Sequence, residues 1–138
     1  MSRSAEVTLD WGDGTYVFAL KWGQLIELQE KLDAGPLHVL NRLAGDGWKV
    51  EDVSQVIRLG LIGGGMDPVQ ALKAVRAYVE ARPPLENLIT AQAILSAGLM
   101  GAPDEAPGKR RAGARKAARS RVERSGSPTS TAPEPPSA

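Results

Sequence analysis

Near the amino terminus, apolar residues alternate with polar ones, which is the spacing of a β-strand with one buried face. The first apolar row is Val7, Leu9 and Trp11, and the second is Tyr16, Phe18 and Leu20. Between the rows, the segment Gly12-Asp13-Gly14 is suited to a tight turn, because glycine tolerates positive φ and aspartate accepts nearby backbone hydrogen bonds. The pattern predicts a β-hairpin over residues 6–20 whose two apolar rows share one face.

From Gly23 onward the apolar spacing becomes that of amphipathic helices, and proline, glycine and capping residues divide the stretch into five. The predicted helices cover residues 23–33, 36–44, 51–62, 68–81 and 85–99. Their expected inward-facing residues are, in turn, Leu25, Leu28, Gln29 and Leu32; Leu37, Leu40 and Leu43; Val53, Val56, Ile57, Gly60 and Leu61; Val69, Leu72, Val75 and Val79; and Leu88, Ile89, Leu95 and Leu99. A hairpin followed by about five short helices is an α+β fold.

Three consecutive glycines, at 63 to 65, separate the third and fourth predicted helices. A phosphate-binding loop needs such glycines after a strand, followed by Lys and Ser or Thr at the start of a helix. Here the glycines follow a helix, no such residues come next, and the Asp67 carboxylate would repel a phosphate. The segment therefore predicts a helix C-cap and hinge, with small residues that let neighbouring backbones pack closely.

The charge pattern divides the chain into a body and a tail. Residues 1–102 carry 9 Lys/Arg and 12 Asp/Glu, whereas residues 103–138 carry 8 and 4, together with six of the ten prolines. We predict a folded domain over 1–102 and a disordered tail over 103–138, basic at first and then rich in Pro, Ser and Thr. Since no stretch approaches the roughly 20 apolar residues of a membrane span, a cytoplasmic protein without a membrane partner is expected.

The basic part of the tail admits three interpretations. Its cations could contact nucleic-acid phosphates, bind an acidic protein, or simply keep a solvated tail soluble. Because no groove-reading motif accompanies them, the solvated tail is favoured over nucleic-acid binding. The residues concerned are Lys109, Arg110, Arg111, Arg115, Lys116, Arg119, Arg121 and Arg124.

The sequence presents no recognisable catalytic, metal or cofactor site. Asp10 and Asp13 lack the ligand ladder of a calcium loop, and the only histidine, His38, has no nucleophile motif to act with. There are no cysteines for thiolate chemistry or metal ligation. We therefore expect no cofactor and a protein that is not an enzyme. Trp11, Trp22 and Trp48 are the candidate partner contacts, because tryptophan is enriched at binding hot spots.

Three stretches together resemble a known family over about residues 5–109. They are the hairpin followed by "KWGQLIELQEKLDAGPLHVLNRLAGDGWKVEDVSQVIRLGLIGGGMDP", then "VRAYVEARPPLENLITAQAILSAGLMG", and then the charged "PGK". Together they resemble the gene-transfer-agent family of small phage tail proteins, the gp10-like tail assembly chaperones. The resemblance implies a non-enzymatic role, with the tape-measure and tail-tube proteins as partners during tail assembly in the bacterial cytoplasm. The C-terminal tail departs from the family pattern, and a frameshift-extended form stays open, as does a homo-oligomer.

Our leading hypothesis from the sequence is a tail assembly chaperone of a prophage or gene-transfer-agent-like element. The first alternative is a structural tail-tube subunit, since the family is also described in that way. The second is a small nucleic-acid-binding protein that uses the basic tail.

Overall fold

The computed structural model describes residues 4–102, and this part of the chain has the predicted α+β architecture. A π-helical turn, Arg76–Glu80, follows the fourth α-helix, and a 3-10 turn, Pro84–Asn87, precedes the fifth. The two strands and five α-helices are β1 (Glu6–Trp11), β2 (Gly14–Ala19), α1 (Trp22–Leu32), α2 (Pro36–Ala44), α3 (Val50–Gly63), α4 (Pro68–Val75) and α5 (Leu88–Met100). The predicted tail lies outside the described residues, and the boundary at residue 102 stays a prediction.

The hairpin is antiparallel and pairs its two apolar rows directly. Val7 lies opposite Phe18, and Leu9 lies opposite Tyr16. The sequence had placed Gly14 in the turn. The loop instead consists of Gly12 and Asp13 alone, and Gly14 is the first residue of β2. Gly12 has φ +59°, and a Cβ there would lie 2.7 Å from the Tyr78 ring, so glycine is required both by the turn and by the neighbouring aromatic ring.

Helix α3 lies at the centre of the core, where it contacts β2, α1, α4 and α5. The whole predicted apolar stripe of α3 is buried, and Asp52 and Leu59 are buried as well. Twelve side chains from outside α3 pack with this stripe in one continuous core: Trp11, Phe18, Leu20, Leu28, Val39, Leu43, Ala71, Val75, Val79, Ala91, Ile94 and Leu95.

The triple glycine ends α3 in a regular C-cap. The Met66 N–H donates to the Leu61 carbonyl and the Gly65 N–H donates to the Ile62 carbonyl, both at 3.0 Å. With Gly65 at φ +111°, this pair of bonds is a Schellman motif, in which glycine satisfies carbonyls that a helix end would leave free. Asp67 then caps α4 by accepting the N–H groups of Val69 and Gln70. The predicted C-cap is confirmed.

The same glycines bring two backbones into direct contact. A Cβ added to Gly63 would overlap the carbonyl oxygen of Ala19, and one added to Gly64 would overlap that of Val17. The end of α3 therefore packs on the main chain of β2, where no side chain fits. The prediction that small residues let adjacent backbones approach closely is confirmed.

Two predicted helices are α-helical over only part of their length, and five inward-facing assignments were wrong. Helix α4 ends at Val75, where the π-helical turn continues it to Glu80, and α5 begins at Leu88, directly after the 3-10 turn. Val69 and Leu72 are 59% and 39% exposed, since α4 packs through Ala71, whose small side chain gives little sequence signal. Leu37 and Ile89, also predicted to face inward, are 62% and 71% exposed. Gln29 of α1, the fifth wrong assignment, is exposed as well.

Candidate interaction surface

Trp11 lies in the core at the centre of an aromatic cluster. Its ring makes edge-to-face contacts with Tyr16, Phe18 and Tyr78, at centroid distances of 5.4, 5.7 and 5.4 Å. Its Nε1–H donates to Asn87 Oδ1 at 2.7 Å, and Asn87 Nδ2 donates to the Tyr78 carbonyl at 2.8 Å. Through these contacts Trp11 joins the hairpin to the π-helical and 3-10 turns that precede α5. Because Trp11 is only 7% exposed, it leaves little surface for a partner.

Asp13 links the hairpin loop to this cluster. It accepts a hydrogen bond from the Tyr16 hydroxyl, which raises the pKa of Tyr16 to about 12 and lowers the pKa of Asp13. Burial, and then a hydrogen bond with Asp13, also raises the pKa of Tyr78. By linkage, the raised pKa of Tyr16 stabilises the fold fully below pH about 10, and this stabilisation is lost as the pH rises toward 12. The lowered pKa of Asp13 has the opposite dependence, because its stabilisation is lost as the pH falls below the ordinary aspartate range.

The other two tryptophans have different surroundings. Trp22 is 80% exposed at the start of α1, and Ile26 is 44% exposed one turn later. Trp48 is half-buried in the loop between α2 and α3, where it packs against the core. Trp22 is therefore the tryptophan with most ring area open to a partner, and its contact with a partner stays a prediction.

Asp10 and His38, weighed as chemical candidates, lie on different elements, β1 and α2. Asp10 accepts a hydrogen bond from the Thr15 hydroxyl at 2.9 Å, and His38 is exposed on α2. In the described part of the chain, no three His, Cys, Asp or Glu side chains are grouped as metal ligands. Within residues 4–102, no helix is long and apolar enough to cross a membrane. The basic residues from Lys109 to Arg124 lie outside this range.

One apolar groove lies between the start of α3 and the turns that follow α4. We name it the Val50 groove; its volume is about 400 Å³. Val50 is 55% exposed in its wall, while Val53 and Val79 form a buried apolar floor. Glu51 and Glu80 also line the groove, so it offers an apolar interior with carboxylates at its edge. Its lining residues are Val50, Glu51, Val53, Ser54, Val79, Glu80, Arg82 and Pro84.

A second groove, which we name the α1–α4 groove, lies between α1 and α4 and is also lined by α3. It encloses about 390 Å³. One wall is apolar, because Val69 and Leu72 project from α4 without being buried. The opposite side is charged, since Arg58 of α3 donates to Glu27 of α1 at 3.4 Å. An amphipathic partner helix would find both an apolar and an ionic surface in this groove.

The geometry defines a small α+β protein with apolar grooves at its surface, and comparison with known proteins identifies its family. Residues 4–101 match the family model described as "Phage tail tube protein, GTA-gp10". The chain belongs to this family, and it is a protein of phage or gene-transfer-agent tails. No curated protein and no solved structure matches the chain significantly. The resemblance inferred from the sequence is thereby confirmed.

Proposed function

We propose that this protein is a tail assembly chaperone that holds the tape-measure protein until tail-tube subunits assemble around it. The observation that carries the proposal is the pair of open grooves in which large apolar side chains remain exposed. A long tape-measure helix presents apolar stripes of its own, and burial of such surface is favourable by roughly 25 cal/mol per Å². Two shallow grooves support binding that is sufficient to keep a partner soluble and still reversible.

The Val50 groove also favours a helical partner with cations beside its apolar stripe. Glu51 and Glu80 edge the Val50 groove, and residues 4–102 carry 12 Asp/Glu against 8 Lys/Arg. Lysine or arginine next to the inserted apolar residues would meet these carboxylates and steer the encounter. Mixed apolar and charged recognition of this kind is typical of helix-in-groove binding.

The alternative function is a permanent tail-tube subunit, which the description of the family as a tail tube protein fits at least as well. Tube subunits are usually dominated by β-sandwiches whose sheets line and join the rings. The described part of this chain has a single two-stranded sheet, and α3 packs against the main chain of its second strand. That architecture supports a helical binding protein better than a subunit that forms a continuous sheet wall.

Three exposed valines provide a matched test of the grooves. When the full chain is co-expressed with the tape-measure protein of the same phage or gene-transfer agent, we expect the tape-measure protein to become soluble and to co-purify. Val50→Lys and Val69→Lys place a charge in the two grooves, and each is expected to lower the co-purified amount roughly fivefold or more. Val17→Lys makes the same change on the outer face of the hairpin, at a residue 39% exposed, and is expected to leave binding unchanged.

The outcomes separate the competing functions. A tape-measure protein that stays insoluble beside the unaltered chain would contradict the chaperone function. Equal losses in all three lysine variants would show that the grooves are not the binding surface. Removal of residues 107–138 is expected to leave tape-measure binding mostly intact, whereas the nucleic-acid alternative requires that this truncation abolish salt-sensitive DNA binding.

A further inference from the structure

We infer that the outer face of α5 is a self-association surface, on which a second copy of this chain packs its own α5 in antiparallel orientation. We name the surface the α5 face and define it as Ile89, Ala93, Ser96 and Met100. This inference concerns a surface apart from the two grooves and does not depend on the proposed function.

Helix α5 has the composition of a buried helix but is exposed along one side. Its sequence, LITAQAILSAGLM, contains no charged residue, and apolar residues surround the helix axis. The inner side packs tightly: Ile94 and Leu95 are fully buried, and a Cβ on Gly98 would lie 2.8 Å from Leu20. On the outer side, Ile89 and Met100 are 71% and 62% exposed. A helix that is apolar all round is normally covered on every side.

The spacing of the α5 face makes it complementary to itself. Its four residues recur at intervals of four, three and four, so they lie on one stripe of the helix. Along the stripe the two end side chains are large and the two central side chains are small. If two copies cross antiparallel about a two-fold axis midway between Ala93 and Ser96, Ile89 of one copy meets Met100 of the other. The small residues meet at the centre, where they let the two helices approach closely, and this is the symmetry of an isologous dimer.

Charge favours a second copy over a strongly charged partner. The described residues carry an excess of acidic groups, so two copies that met through most other surfaces would bring carboxylates together. The α5 face carries no charge, and the antiparallel arrangement also sets the two helix dipoles in opposite directions. A basic or acidic partner would gain no complementary charge on this face and would instead favour the acid-edged Val50 groove.

The size of the face predicts a weak dimer. Thirteen residues make a helix about 20 Å long, and a single crossing of two such helices buries less than the roughly 800 Å² per partner of a standard interface. We therefore expect dissociation in the micromolar range or weaker, so that the oligomeric state depends on concentration.

Sedimentation equilibrium of the full chain, over concentrations up to ~1 mM, tests the inference. We expect a reversible monomer–dimer equilibrium. Ile89→Glu and Met100→Lys, each alone, are expected to raise the dissociation constant about tenfold or more, because each places two charges in the apolar contact. An equimolar mixture of the two variants is expected to recover affinity, since the antiparallel register sets the two new opposite charges against each other and leaves the second Ile89–Met100 contact unaltered.

Val69→Glu, in the α1–α4 groove, is the matched control and is expected to leave the dimer unchanged. Because all three substituted side chains are largely exposed, circular dichroism is expected to show a retained fold in each variant. A chain that stays monomeric at the highest concentration would overturn the inference. So would a dimer insensitive to Ile89→Glu, or a mixture that associates no better than the separate variants.

Discussion

Replacing Gly63 by alanine is expected to lower the free energy of unfolding by roughly 3 kcal/mol or more. In an open helix the same change is favourable, because alanine has the higher helix propensity. At Gly63, however, the added methyl group would overlap the carbonyl oxygen of Ala19, which belongs to the main chain of β2 and cannot rotate away. Relief requires α3 to separate from the hairpin, and that movement would open the centre of the core.

Urea unfolding followed by circular dichroism measures this loss, and two other glycines supply controls. Gly23 lies in the first turn of α1 and Gly47 lies in the loop after α2, and neither has an atom within 4 Å of an added Cβ. We expect Gly23→Ala to raise the free energy of unfolding by up to about 0.5 kcal/mol. Gly47→Ala is expected to change the free energy of unfolding by no more than about 0.5 kcal/mol. A Gly63→Ala protein as stable as these two would contradict the packing of α3 on β2.

Asp52→Ala is expected to cost about 3–5 kcal/mol, the second large effect. The carboxylate is fully buried and accepts three hydrogen bonds. Arg42 donates from Nε at 3.1 Å and from Nη2 at 2.7 Å, and the Lys49 N–H donates at 2.8 Å. Removing the carboxylate leaves the Arg42 side chain, which is only 16% exposed, without its counter-charge and leaves the start of α3 without a cap.

The unfolding free energies of two companion variants separate the loss of the Arg42–Asp52 ion pair from the loss of the α3 cap. Glu51→Ala alters the adjacent exposed carboxylate and is expected to stay within about 0.5 kcal/mol of the unaltered chain. Asp52→Asn keeps an acceptor for the Lys49 N–H but loses the charge. Its loss of unfolding free energy is therefore expected to lie between those of Glu51→Ala and Asp52→Ala. Asp52→Ala with the stability of Glu51→Ala would show that the ion pair does not hold α2 to α3.

The sequence predicted those parts of the fold that local rules determine. Alternation gave the hairpin and the pairing of its apolar rows, and the α3 stripe was predicted in full because a central helix shows its complete apolar face. Cap chemistry identified Asp67 and the glycine end of α3, since both depend on residues adjacent in the chain.

Contacts between distant residues could not be predicted in this way. The Trp11–Asn87 hydrogen bond joins residues 76 positions apart, and no local pattern marks Asn87 as its partner. The π-helical turn that carries Tyr78 to the hairpin has no sequence signature of its own. The exposed Val69 and Ile89 were assigned to the core because periodicity identifies an apolar side chain without identifying what covers it. Those misassigned residues now lie in the surfaces proposed for partner binding and self-association.

The two proposed surfaces are compatible with one mode of action. If two copies associate through the α5 face, each contributes its Val50 and α1–α4 grooves to the pair. A long tape-measure helix that engages several grooves at once would be held more tightly than by one groove, through the raised effective concentration of the second site. Weak individual contacts would still permit release one groove at a time as tube subunits arrive.

The copy number of this protein in purified, tail-bearing particles tests the central claim most directly. Quantitative mass spectrometry of particles and of the producing cells would compare it with the tape-measure and tube proteins. A chaperone is expected to be abundant in the cells and absent from finished particles, or present at far less than one copy per tube ring. Copies in integral proportion to the tube rings would contradict the account and establish a structural subunit.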